Sequence, residues 1–134
     1  YTFSMKKLLL IFTLLFSTLM FSTPSYSEWR KVSESEVGNT FYVDFERIRK
    51  HSGYVYFWRL SDYLKPNEQG FLSAIVYYEV DCKLFRYKYL TDSYHKEPMG
   101  GGTAASSSSV PDKNWGYPPP GSAHEEILKR VCSQ

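Results

Sequence analysis

Two cysteines constrain the fold of this chain more than any other residues. Cys82 ends the stretch Phe71–Cys82, and Cys132 lies two residues from the C-terminus. Alternate positions leading up to the first cysteine are apolar: Leu72, Ala74, Val76, Tyr78 and Val80. A β-strand sends alternate side chains to one face, so Cys82 extends an apolar row. The pattern predicts a disulfide that holds a terminal helix against the apolar face of a sheet.

The alternative roles for two cysteines are a redox pair or a pair of metal ligands. A redox pair usually has C-x-x-C spacing, and a metal site built on thiolates needs more than two soft ligands. Cys82 and Cys132 fit neither pattern. One structural disulfide is the usual arrangement in an exported chain of this size, and its loop would restrict the unfolded chain by about 4 kcal/mol.

The N-terminal segment has the parts of a secretory signal. Residues 1–4 precede the first methionine and are interpreted as upstream translated sequence. Residues 5–27 are the predicted signal peptide, with Lys6 and Lys7 before an apolar run and small residues at its end. The alternative is a retained membrane anchor, for which the apolar run is shorter than the roughly 20 residues needed.

Cleavage is predicted between Ser27 and Glu28, which makes the protein an exported one. Cysteine does not follow the predicted cleavage point, so we expect no lipid anchor and no stable membrane insertion once the signal is removed. The expected location is the periplasm or the cell surface of a Gram-negative bacterium.

Residues 28–134 are enough for one domain, and their charge argues against a nucleic-acid partner. The chain has 16 basic and 14 acidic residues, and Lys6 and Lys7 account for the excess. The exported part is therefore formally neutral, without the positive field that attracts nucleic acid.

Apolar alternation predicts an α+β fold with an antiparallel sheet of about five to six strands. The segments between the strands lack the helical spacing of apolar residues, so an antiparallel meander is expected in preference to βαβ units. The Gly- and Ser-rich stretch at about 96–114 is predicted to be a flexible loop. A C-terminal helix is expected at about 122–133, because Ser122 and Glu125 fit a capping box and the apolar residues share one face. The predicted strand segments are 29–32, 40–45, 54–63, 71–82 and 83–90.

Catalytic and cofactor motifs are missing from the sequence. His51, His95 and His124 are scattered without metal-ligand spacing, and a structural role is expected for His124. The glycine run at 100–102 lacks the residues of a phosphate loop. We therefore predict a non-enzymatic protein with no cofactor and no metal. The acidic residues at predicted strand ends are interpreted as turn residues in preference to a catalytic pair: Asp44, Asp62 and Asp81.

Aromatic residues are the unusual resource of this chain, at 18% of the sequence. Tyrosine and tryptophan combine an apolar body with a polar tip and are favoured in recognition surfaces. Most of these rings are expected in the core of the domain. Trp115 and Tyr117 are the exceptions, because they adjoin the predicted loop, and they are candidate binding residues.

Spaced single residues and short pairs along the chain resemble the bacterial surface-adhesin protein E family. The landmarks are Trp29, Tyr42-Val43-Asp44, Ile48, Trp58, Asp62-Tyr63, Ser73, Asp81-Cys82, Trp115, Gly121-Ser122 and Cys132. The resemblance implies a six-stranded antiparallel sheet with a C-terminal helix tethered by the two cysteines. It also implies adhesion to host matrix proteins through a basic segment near the first cysteine. Here the basic residues near that cysteine are Lys83, Arg86 and Lys88, which join the candidate binding residues.

The sequence therefore supports an exported binding protein whose partner is a protein or an envelope polymer. The alternative function is a periplasmic carrier of small ligands, with a site enclosed between the helix and the sheet. An envelope hydrolase is a third hypothesis, without a recognisable catalytic constellation. The oligomeric state and the identity of the partner do not follow from the sequence.

Overall fold

Most of the strands are built from the alternating segments of the sequence, and all strands in the described residues pair antiparallel. The computed structural model describes residues 27–134, so the predicted signal peptide, except for Ser27, lies outside the described residues. The strands are β1 (Arg30–Glu34), β2 (Thr40–Val43), β3 (Arg49–His51), β4 (Tyr54–Asp62), β5 (Ser73–Asp81), β6 (Arg86–His95) and β7 (Ser106–Ser108). The α-helix in this part of the chain is α1 (Ala123–Cys132).

The sheet has the order β1-β2-β4-β5-β6-β7, and β3 pairs with β4 beside β2. A 3-10 turn, Phe45–Arg47, separates β2 from β3, so these two short strands cover different halves of β4. The α+β architecture with a C-terminal helix is confirmed. The strand count exceeds the prediction because β3 and β7 come from segments with no apolar alternation.

The core lies between one face of the sheet and α1. Val55, Phe57 and Val80 of the sheet are at most 8% exposed, and Ile127 and Leu128 of the helix have no exposure at all. Burying each such side chain stabilises the fold by about 1.5–3 kcal/mol. The helix is short for independent stability in water, so this contact is what stabilises it.

The disulfide between Cys82 and Cys132 is confirmed, with a Cα–Cα distance of 5.7 Å. Even-numbered residues of β5 point toward α1, so the chain leaves the strand with Cys82 on the helix side. The side chain of Ser122 caps the helix by accepting from the Glu125 backbone N–H at 3.1 Å. The Glu125 carboxylate accepts from the Gly121 N–H at 3.3 Å, one residue earlier than a strict capping box.

The boundaries of β6 differ from the predicted segment, 83–90. The Asp81 carboxylate accepts hydrogen bonds from the backbone N–H groups of Lys83 and Leu84, so these residues form a turn. The strand then continues to His95. An irregularity opposite Tyr77 and Tyr78 shifts the pairing register, which keeps Tyr89 on the helix side.

The segment 96–114 contains more regular structure than its composition predicts. A 3-10 turn, Pro98–Gly100, lies on the face opposite α1, where a Cβ on Gly100 would come within 2.7 Å of the Ile75 Cδ1 atom. Strand β7 then pairs with β6. The flexibility of this segment stays a prediction.

Candidate functional site

The face of the sheet opposite α1 carries a strip of aromatic rings. Strand alternation turns Tyr54, Tyr56 and Trp58 of β4 and Tyr77 of β5 away from the helix. The ring centroids of Trp58 and Tyr77 are 4.5 Å apart, and those of Tyr56 and Tyr77 are 6.1 Å apart. These side chains are half-buried, so part of each ring meets solvent. With Trp115 they form what we call the outer aromatic face.

Trp115 joins this face because its backbone is paired to β6. Gly116 and Tyr87 exchange two backbone hydrogen bonds of 2.8 and 2.9 Å, which bring the neighbouring tryptophan over the end of the sheet. The Trp115 and Tyr54 ring centroids are then 5.4 Å apart. The loop that carries Trp115 is therefore fixed to the sheet at this point.

Two of the predicted basic residues, Arg86 and Lys88, lie against the Trp115 ring. The guanidinium carbon of Arg86 is 4.5 Å from the ring centroid, and the Lys88 ammonium nitrogen is 4.7 Å from it. Such cation–π contacts contribute about 0.5–1 kcal/mol at exposed sites. Three of the five candidate binding residues thus form one cluster.

Arg86 also connects this cluster to Asp81 and Tyr117. Its Nε donates to the Asp81 carboxylate at 2.9 Å. Burial by itself would lower the pKa of Arg86, but Asp81 and the Tyr117 hydroxyl together outweigh burial and raise that pKa. Tyr117 is 64% exposed. Lys83 is exposed in the turn after β5 and lines a shallow cleft of about 400 Å³ beside Tyr54.

The other end of the outer aromatic face holds Arg47, which the sequence did not single out. Its guanidinium carbon is 5.4 Å from the Trp58 ring centroid and 5.6 Å from that of Trp29. Its Nε donates to the buried Asp44 carboxylate at 2.7 Å. Arg47 and Arg49 line an open cleft of about 630 Å³ together with Trp58 and Tyr77. The alternation Tyr54-x-Tyr56-x-Trp58 was the signal in the sequence that could have located this face.

The three acidic residues at strand ends serve as turn and cap groups. Asp44 accepts from the Glu46 and Glu28 backbone N–H groups, and Asp62 accepts from the Met99 N–H at 2.8 Å. Asp81 accepts from its own turn and from Arg86. Burial would raise the pKa of the Asp81 carboxyl, but the Arg86 and backbone hydrogen bonds outweigh it and lower that pKa. Since all three have such partners, the hydrolase hypothesis gains no support here.

Buried histidines have structural partners. The His95 ring lies 3.0 Å from the Ser93 hydroxyl and 3.2 Å from the Gly101 carbonyl, so both ring nitrogens are used. His124 Nδ1 is 2.9 Å from Arg59 Nη1. Burial, with the Arg59 charge acting in the same direction, lowers the pKa of His124 to about 3. The expectation of a hydrogen-bonded histidine at 124 agrees with this geometry.

The interior between α1 and the sheet is closely packed. The His124 ring centroid is 4.8 Å from that of Tyr78 and 4.2 Å from that of Tyr87. Val80 and the helix residues facing it have no solvent exposure. This packing gives no support to a ligand enclosed between the helix face and Val80, which was the form of the carrier hypothesis.

Two further features are absent from residues 27–134. This part of the chain has no group of three or more potential metal ligands. Its helix content also includes no span long and apolar enough to cross a membrane.

Comparisons with known proteins agree with the fold. A sequence model of the family described as surface-adhesin protein E matches residues 29–133. Two solved structures of Haemophilus influenzae protein E superimpose with TM-scores of 0.59 and 0.58 at 16% sequence identity. Each alignment covers 83% of this chain, with 91% and 88% of the respective solved chains. A search of curated proteins found no match. At this identity the structural likeness concerns the fold.

Proposed function

The chain belongs to the surface-adhesin protein E family, and from this premise we propose that it is an exported, non-enzymatic binding protein of a bacterial envelope or surface. Its partner is a protein, which it contacts through the outer aromatic face. The family name supports adhesion as the general activity. The predicted signal peptide and the disulfide suit an oxidising compartment outside the cytoplasm.

The observation that carries the proposal is the uncovered strip of rings and cations on the sheet. Tyrosine, tryptophan and arginine are the residues that most often dominate the energy of protein interfaces. Here Trp58 and Tyr77 form a ring pair, with 32° between the ring planes, beside Arg47, and Arg49 is exposed at the same cleft. Burial raises the pKa of the Tyr56 hydroxyl, with a further contribution from Glu79, so this group keeps its proton and can donate.

Two arginines of this face are already held in place, which favours recognition by a protein surface. Arg47 is fixed by Asp44, and Arg86 by Asp81. Long side chains that are ordered before binding lose less entropy when a partner arrives. The mixed signs, including Glu79, suit a protein surface of mixed charge better than a uniformly anionic polymer.

The test compares a double substitution on this face with a matched control. The protein is expressed with its full sequence, purified from the exported fraction, and measured against immobilised matrix proteins and peptidoglycan fragments. Trp58→Ser combined with Tyr77→Ser removes the ring pair. Val37→Ser combined with Val110→Ser removes two exposed apolar side chains, 71% and 74% exposed, outside the outer aromatic face.

We expect the face variant to lose at least about tenfold in affinity for a protein ligand, and the control to stay within about twofold. Thermal unfolding of both variants checks that the fold is retained. Equal binding by the two variants would contradict the assignment of the surface. Retention of the peptidoglycan fragments alone would contradict the assignment of a protein partner.

A further inference from the structure

An arginine lies on the helix side of the sheet, where its neighbours are apolar. Arg59 follows Phe57 on that side of β4 and pairs in register with Val43 and Val76. Its guanidinium carbon is 5.2 Å from the Tyr78 ring centroid and 5.8 Å from that of Phe41. A charge in such surroundings is costly unless an opposite charge and hydrogen bonds compensate it.

No carboxylate compensates Arg59 within the described residues. The ion pairs found there involve other arginines and lysines, and residues 1–26 contain neither Asp nor Glu. The hydrogen bond of Nη1 to the neutral His124 ring leaves the positive charge in place. Nε is buried and has no hydrogen-bond partner.

Several other polar groups around Arg59 are also available for hydrogen bonding. The Ser61 side chain is 1% exposed and its Oγ has no partner, and the same holds for the buried His124 Nε2 atom. The Tyr63 and Tyr78 hydroxyls lie close enough to Arg59 for its charge to act on both. Burial, the larger effect, raises the pKa of each, so both hydroxyls keep their protons. Hydrogen-bond donors thus gather here around one positive charge.

We propose that these groups, which we call the Arg59 niche, bind the carboxylate of a small molecule. The Arg59 niche consists of Arg59, Ser61, Tyr63 and His124. Because Nη1 is engaged by His124, the edge formed by Nε and Nη2 is the one left for the two oxygens of a carboxylate. The Ser61 and Tyr63 hydroxyls supply further donors.

The cleft beside Tyr63 provides a surface for the apolar part of the ligand. Arg59 and Tyr63 are half-buried, but the Arg59 Nε, Ser61 Oγ and His124 Nε2 atoms are buried, so a ligand reaches them only when the side chains that cover them move aside. Tyr63 also lines an open cleft of about 620 Å³ whose other walls include Leu64 and Pro66. A carboxylate attached to a ring or a short chain can place its apolar part in this cleft.

The niche lies on the opposite side of the sheet from the outer aromatic face. Its occupation therefore does not depend on the proposed adhesive function, and either proposal can fail alone.

Benzoate is the probe, because it joins a carboxylate to an apolar ring. The full-length gene is expressed and the exported protein is labelled for NMR, and the His124 ring and Arg59 Nε–H signals are followed at constant ionic strength. We expect saturable shifts at millimolar benzoate, and shifts at least about fivefold smaller with inorganic phosphate or chloride. Shifts that are linear in concentration, or equal for the three anions, would overturn the proposal.

A substitution of Arg59 provides a second test of benzoate binding. Arg59→Gln is expected to melt at a temperature that benzoate no longer raises, while Arg130→Gln, at an exposed arginine on α1, keeps the wild-type response. An equal benzoate response in wild type and Arg59→Gln would also overturn the proposal. The NMR titration of the wild-type protein decides the matter even if Arg59→Gln does not fold.

Discussion

Acidification from pH 7 to pH 5 is expected to lower the free energy of unfolding by about 2 kcal/mol through His124 alone. The pKa of this histidine is about 3 in the folded protein, against an ordinary value of 6.5. As the pH falls below 6.5, the His124 imidazole becomes protonated in the unfolded chain but stays neutral in the folded protein. Stability is therefore lost progressively on acidification until the pH approaches the folded value of about 3.

The low pKa follows from where the ring lies. His124 is packed between Tyr78 and Tyr87, so a charged imidazole would lose most of its hydration. Its Nδ1 also accepts from Arg59, and a proton on this atom would face the guanidinium donor. Both effects disfavour the charged form, and burial is the larger of the two.

The assay is urea unfolding of the wild type and of His124→Gln at pH 7, 6 and 5. Glutamine keeps an oxygen that can accept from Arg59 but does not titrate. The difference between the two proteins isolates the histidine from other groups. Asp92 is one such group, because burial raises the pKa of its carboxyl. Its protonation at lower pH favours the folded protein, which is opposite in sign to the effect of His124. His51→Gln, an exposed substitution, serves as the control and should follow the wild type.

Parallel stability curves for wild type and His124→Gln between pH 7 and pH 5 would refute this reasoning. So would an NMR titration in which the His124 ring signals of the folded protein change with a midpoint near 6.5.

Three further substitutions test the disulfide, the turn on the outer side of the sheet and the helix cap. Cys132→Ser should lower the free energy of unfolding by about 4 kcal/mol and increase hydrogen exchange in the helix; a melting temperature within about one degree of wild type would contradict this. Gly100→Ala should cost more than Gly70→Ala by about 1 kcal/mol in urea unfolding, because both glycines have positive φ but only a Cβ at 100 meets Ile75. Equal costs would mean that Ile75 moves aside freely. Ser122→Ala should cost about 1 kcal/mol by the same measurement, and an unchanged midpoint would show that the cap contributes nothing.

The outer aromatic face shows where local pattern was informative and where it was not. Alternation along β4 was enough to put Tyr54, Tyr56 and Trp58 on the same side, and the structure agrees. The position of Arg47 over two tryptophan rings was beyond the pattern, because it depends on a 3-10 turn and on residues 11 and more positions away. Of the candidate binding residues, Trp115, Arg86 and Lys88 meet through cation–π contacts that no local signal encodes.

Local chemistry in the chain was sufficient for the α+β class, the capped C-terminal helix and the pairing of Cys82 with Cys132. These features depend on side-chain period, on the preference of a serine for the N-cap, and on there being only two cysteines. Tertiary structure alone decided that β7 forms in a serine-rich segment, that Gly100 packs on the sheet, and that Arg59 meets His124. Those contacts join groups far apart in the chain, 65 positions in the case of Arg59 and His124, so their energies appear only once the sheet has brought them together.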